Sequence, residues 1–228
     1  MSLTRRQMIE AGAATGALAV TMSSPLLAQA LEPRPALRPT LAVPPASVPA
    51  RPRVMVDPTV DPRIVARARA AFDRHRNQIS RPELVGIADF SKASAEPRFY
   101  LLDTNSGRVT RHLCSHGRGS DPAHTGFLQR FSNRPGSEAS SNGAYLMGNY
   151  YHGKYGRSMR VRGLDPTNNN AESRAIVVHT AWYAEPQVAA QTGRLGRSEG
   201  CFALPNASLQ EVLARLGPGH FLYADRLA

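Results

Sequence analysis

The chain has 228 residues, 42% of them hydrophobic, which excludes wholesale disorder and allows one ordinary domain plus an export segment and a linker. Its two cysteines, Cys114 and Cys201, exclude a disulfide scaffold and a zinc knuckle while leaving one disulfide open. The formal net charge of +11 favours an anionic partner, or else a basic surface of scattered charges; with no nucleic-acid motif in the chain, no nucleic-acid partner is expected.

The chain begins with an address. Arg5-Arg6 stands just before the apolar, small-residue stretch Ala11 to Met22, and Ala28-Gln29-Ala30 supplies small residues at alternating positions for a signal peptidase. Residues 1–30 therefore read as a twin-arginine export signal, with a plain Sec-type signal as the nearest rival. The apolar core, at roughly a dozen residues, is shorter than the ~20 that a spanning helix needs. The expected location is periplasmic or otherwise extracytoplasmic, with no stable membrane insertion after signal removal. Residues 31–60 hold eight prolines, from Pro33 to Pro58, and proline neither donates to a ladder nor continues a helix. They read as an extended linker, leaving 61–228 as the folded domain.

Asp61-Pro62 is a good helix start, a capping carboxylate followed by proline. Ile64, Ala68, Ala71, Phe72, His75 and Ile79 then recur at helical spacing. After Pro82 the signal changes to short β-type runs. Strands are expected at 84–90, 98–103, 108–114, 143–150, 174–180 and 220–224. Ala175-Ile176-Val177-Val178 reads as a strand buried on both faces. Gly117 to Asn142 has no sustained period and is long for a loop, a mark of function or mobility. Asn206 is expected to cap a short helix with Leu209, Val212, Leu213 and Leu216 on one side. The whole is expected to be mainly β, with helices on its flanks.

The residues most able to do chemistry come late. His179 leaves the end of the buried strand, and Cys201 follows Gly200, a residue free to take backbone conformations closed to others. A thiol attacks as thiolate, and a nearby imidazole with local positive charge, here Arg194 and Arg197, would favour that form. The amides of Gly200 and Cys201 could face a developing oxyanion. An isolated cysteine is more often a small buried hydrophobe. An exported chain with a glycine-flanked Cys downstream of a strand-terminal His moves the balance towards a nucleophile.

The pattern His179 … Ser198-x-Gly200-Cys201 resembles the signature of YkuD-type L,D-transpeptidases. The surroundings are similar to a divergent murein subgroup of that family: Ser115-His116-Gly117-Arg118-Gly119-Ser120-Asp121-Pro122, Phe131-Ser132-Asn133, Gly153-Lys154-Tyr155-Gly156, Ser173 to His179, and Gly193 to Ser198. The resemblance covers roughly residues 80–225. It implies an L,D-transpeptidase-like β-sandwich and a Cys201–His179 pair, with the backbone carbonyl of Thr180 orienting the imidazole. It also implies peptidoglycan stem peptides as partners: Cys201 attacks diaminopimelate in a tetrapeptide stem, expels D-alanine and passes the acyl group to an amine. An L,D-carboxypeptidase, another wall-peptide cysteine hydrolase, or an inactive wall-binding relative is the alternative. Thr180, Glu199 and Ala203 depart from the common pattern, which puts glycine, His, and Arg or Asn at those places.

Ser198, Arg197, Arg194, His116 and Arg118 are candidates for substrate contact. Arginines suit the carboxylates of a stem peptide, whereas loop arginines are more often solvated. His116 is as well explained by a hydrogen bond to backbone. Cys114 reads as a buried thiol. His112, His124 and His152 are scattered without metal spacing, so neither metal nor cofactor is expected.

Overall fold

The computed structural model describes residues 57–228; the expected export signal and most of the linker lie outside the described residues. Val60, at the end of that linker, is 3% exposed and belongs to the core. Helix α1 (Pro62–Arg74) begins as its sequence dictates: Asp61 accepts from the amide of Arg63 at 2.8 Å, and Pro62 occupies the first helical position. Its buried stripe of Ile64, Ala68 and Ala71 packs against the sheet.

Eight strands form one mixed sheet. They are β1 (Leu84–Asp89), β2 (Phe99–Asp103), β3 (Val109–His112), β4 (Gly143–Gly153), β5 (Gly156–Gly163), β6 (Val177–Thr180), β7 (Phe202–Leu204) and β8 (Phe221–Asp225), in the spatial order β3-β2-β1-β8-β4-β5-β6-β7. Two helices complete the fold, α2 (Pro186–Thr192) and α3 (Asn206–Arg215). The period-2 alternation of β1, β2 and β8 sorts their side chains to two cores. Ala88, Phe99, Leu101 and Leu222 enter one, together with Leu209, Val212 and Leu213 of α3. Val85, Ile87, Tyr100 and Phe221 enter the other, beneath α1.

The sheet is strongly curled. β2 and β7 stand six places apart in the ladder, about 29 Å if it were flat at ~4.8 Å per strand. Yet the rings of Phe99 and Phe202 have centroids 6.4 Å apart. A bridge beyond β3 closes the circuit, with the amide of Ser115 donating to the carbonyl of Ala203 at 2.8 Å. The two halves thus face each other as the layers of a sandwich, the mainly β architecture with flanking helices that the sequence implies.

Three elements are additional to the sequence expectations. β5 continues the hairpin from β4, β7 is a three-residue strand, and α2 is a surface helix with no buried residue. Asn206 is the first helical residue of α3 and does not cap it through its side chain. The helix is capped from outside: the Glu185 carboxylate accepts from the amide of Asn206 at 2.8 Å. Among the described residues, no helix is long and apolar enough to cross a membrane.

Candidate active site

β6 and β7 run parallel, with Val178 opposite Phe202, His179 opposite Ala203 and Thr180 opposite Leu204. Val178, Phe202 and Leu204 face the inner core. The alternate residues His179 and Ala203 therefore share the other face, where Ala203 packs with Ala181, Ala184 and Tyr183. Cys201 stands in the bend two residues before Ala203.

The bend before β7 needs glycine. Gly200 has φ +111°, and a Cβ there would lie 2.7 Å from the carbonyl oxygen of Ala139 and 2.8 Å from Cδ1 of Ile176. Ser198 ties the bend together: its hydroxyl donates to the Cys201 carbonyl at 2.7 Å and accepts from the Gly200 amide at 3.1 Å. Its own amide donates to the carbonyl of His116 at 2.9 Å, and its carbonyl accepts from the amide of Arg118 at 2.7 Å. The loop after β3 is thereby fastened to the turn that carries the thiol.

His179 is 3% exposed. Its Nδ1 lies 2.7 Å from the carbonyl oxygen of Thr180. A carbonyl only accepts, so Nδ1 carries the proton of the neutral ring and Nε2 keeps a lone pair. Burial lowers the pKa of this imidazole, opposed by the Thr180 carbonyl. The ring of Tyr155, at the tip of the β4–β5 hairpin, stacks on it with centroids 4.4 Å apart.

The Cys201 thiol is pushed above its ordinary value, chiefly by burial. The Val177 amide and the Arg174 cation work against that shift, and the charge of Glu199 adds to it. Sγ lies 3.6 Å from the carbonyl oxygen of Ala175, as a donor to it. Ala175 is held at φ +53°, a conformation that costs a non-glycine residue about 1–2 kcal/mol. With the thiol raised and the imidazole lowered, each group rests neutral at pH 7.

The residues expected to touch substrate are placed unequally. Ser198 is 3% exposed, with its hydroxyl engaged on both sides, so it holds the Gly200–Cys201 turn and does not line a cleft. The Gly200 amide is likewise occupied by Ser198. His116 is 1% exposed and belongs to a buried network. There Arg98 Nη2 donates to its Nδ1 at 2.7 Å, which fixes the proton on Nε2, 3.4 Å from Asp121 Oδ2. Burial, reinforced by Arg98, lowers His116 to about 3. The contact with Asp121 therefore involves a neutral ring and is no ion pair at neutral pH.

Arg197 directs its guanidinium to the carbonyls of Asp121 and Pro122. Arg194 is half-buried, packs over Gly126 and leaves Nε without a partner. Neither arginine is among the groups that act on the thiol; that cation is Arg174. Arg118 is exposed, paired with Glu138 and 3.4 Å from Glu199. Cys114 is a buried free thiol, raised to about 12 by burial.

Arg174 and Tyr155 were not singled out by sequence reasoning as single residues, although both fall in segments that carry the resemblance. Arg174 donates to the carbonyls of Ser132 at 2.8 Å and Ala139 at 2.6 Å and to the Ser141 hydroxyl at 2.7 Å. It therefore pins the long loop beside Gly200.

The family described as L,D-transpeptidase catalytic domain matches residues 56–224. Among solved structures, the chain is similar to an L,D-transpeptidase from Mycobacterium smegmatis, at 15% identity and TM-score 0.39 over 63% of this chain and 58% of that one. It is also similar to L,D-transpeptidase 3 from Mycobacterium tuberculosis in complex with a faropenem-derived adduct, at 14% identity and TM-score 0.41 over 63% and 60%. The chain thus spans about three fifths of the length of these solved relatives. No curated protein matches it.

Proposed function

The chain belongs to the L,D-transpeptidase catalytic domain family, and we propose that it is an exported cysteine transpeptidase acting on peptidoglycan stem peptides. The observation that carries this reading is the Thr180 carbonyl 2.7 Å from Nδ1 of His179, which leaves the lone pair on Nε2 to act as a base. From a neutral resting pair, Nε2 takes the thiol proton as Sγ bonds to the diaminopimelate carbonyl carbon. With Gly200 occupied, the Cys201 amide is the candidate donor to the oxyanion. The tetrahedral adduct then breaks its C–N bond, and the imidazolium returns its proton to the departing D-alanine amine. An acceptor amine, deprotonated by the same Nε2, attacks the thioester and frees the thiol.

Within this reading Tyr155 shields the imidazole, Ser198 and Arg174 hold the nucleophile turn, and Arg118 stands at the exposed edge. The basic charge suits an acidic wall polymer, and residues 1–30 direct the chain out of the cytoplasm. The test is to incubate the protein with tetrapeptide-stem muropeptides and follow D-alanine and products together. Crosslinked dimers with D-alanine release are expected. Tripeptide without dimer would make it a carboxypeptidase, and no D-alanine at all would overturn the reading.

A further inference from the structure

A cavity of about 400 Å³ opens beside the nucleophile turn, lined by Arg130, Phe131, Arg134, Ser137 and Ala139 among others. Ala139 joins it to the turn: its carbonyl oxygen accepts from Arg174 at 2.6 Å and lies 2.7 Å from where a Cβ on Gly200 would be. The walls are chemically one-sided. Arg130 is fixed by its Nε, which donates to the Gly119 carbonyl at 2.9 Å, so the rest of the guanidinium is left for another partner. Among the described residues, the Arg134 side chain has no ionic or hydrogen-bonded partner, and the Ser137 hydroxyl is buried without one. Glu138, the carboxylate nearest in sequence, is turned to Arg118 instead.

Two exposed arginines line one concavity with no carboxylate partner among the described residues, beside a Ser137 hydroxyl that has no partner either. A buried hydroxyl without a partner is destabilising, and arginine pairs well with a planar carboxylate. The volume exceeds a carboxylate alone and suits a residue that carries one, with the Phe131 ring as apolar wall.

We propose that this cavity is the subsite for a free carboxylate of the donor stem peptide, which accepts hydrogen bonds from Arg130, Arg134 and the Ser137 hydroxyl. The proposal rests on the reading of Cys201 as an acyl-transfer nucleophile on stem peptides. Two carboxylates flank the bond to be broken: that of the departing D-alanine and that of the diaminopimelate side chain.

The experiment measures binding of three synthetic tetrapeptides to the Cys201→Ala full chain by calorimetry, and D-alanine release by the wild type. One peptide is unmodified, one has the D-alanine carboxylate as carboxamide, and one has the diaminopimelate side-chain carboxylate as carboxamide. Adding Arg134→Ala is expected to weaken binding of the unmodified peptide about tenfold, as a charged hydrogen bond does. It should leave unchanged the binding of the one carboxamide that has lost the recognised group, and so identify the source. Ser137→Ala should weaken binding in the same pattern without lowering the melting temperature, since its hydroxyl makes no bond within the chain. Equal losses for all three peptides, or no loss for any, would overturn the subsite. Selective binding without D-alanine release would sink the transpeptidase and leave the subsite standing; release without selectivity would do the reverse.

Discussion

The ring of Tyr155 covers His179 in a near-parallel stack, centroids 4.4 Å apart and planes 23° from parallel. This contact adds to the burial that keeps the imidazole pKa low. Removing it by Tyr155→Ala admits water, so the His179 pKa rises and the acidic limb of the rate–pH profile moves to higher pH. A loss in kcat/KM of about tenfold is the expected scale for a misheld base. Tyr155→Phe keeps the stack and should behave as wild type. A profile unmoved by Tyr155→Ala would separate the tyrosine from the base.

Ser198 offers a clean distinction between positioning and binding. Ser198→Ala leaves the buried Gly200 amide without its acceptor, a cost of about 1–3 kcal/mol. Because the hydroxyl holds the nucleophile turn, kcat should fall while KM stays near wild type. A rise in KM with kcat preserved would return Ser198 to direct substrate contact.

Gly200→Ala forces a side chain into φ +111° with a Cβ 2.7 Å from the Ala139 carbonyl oxygen. Strain of about 1–3 kcal/mol is expected, read as a lower urea midpoint. Acyl-enzyme formation should be lost more completely than stability, because the turn that aims Cys201 must shift. A Gly200→Ala variant of normal stability and rate would contradict the geometry of the bend.

How much of this was legible in the sequence depended on the range of the interactions. Asp61-Pro62 and the apolar spacing of α1 are local signals that place its start, while the helix ends at Arg74, short of the Ile79 that the spacing reached. β5 escaped because only Met159 and Val161 are apolar among its arginines, too short an alternation to stand out. β7 has three residues and α2 buries none, so neither carries a period. His116 sits in a stretch of Gly and Ser that reads as exposed loop, yet Arg98 and Asp121 draw it into the interior. Arg174 grips groups 33 to 42 residues away, a role that no local pattern carries.

Buried neutral histidines set the response to acid. Burial lowers His112, His179 and His220, and it takes His116 from 6.5 to about 3. Below pH 6.5 the unfolded chain binds protons that the folded chain refuses, so stability falls as pH drops. For His116 alone the loss by pH 5 is about 2 kcal/mol. Asp121 acts in the same direction at lower pH, because the amides of Thr125 and Gly126 overcome the effect of burial and hold its carboxyl below the usual range. Urea unfolding at pH 7.5 and pH 5.0 should show this fall, and His116→Gln should shrink the difference. Stability unchanged or increased at pH 5.0 would contradict it.

The proposed function turns on covalent acylation of Cys201. Its most direct test is intact mass after brief mixing of the full chain with a tetrapeptide-stem donor in the absence of acceptor amine, with Cys201→Ala and His179→Ala alongside. A mass increase equal to the donor less D-alanine is expected on wild type, none on Cys201→Ala, and strongly slowed formation on His179→Ala. An adduct of the same mass on folded Cys201→Ala, or no adduct on folded, reduced wild type, would contradict it.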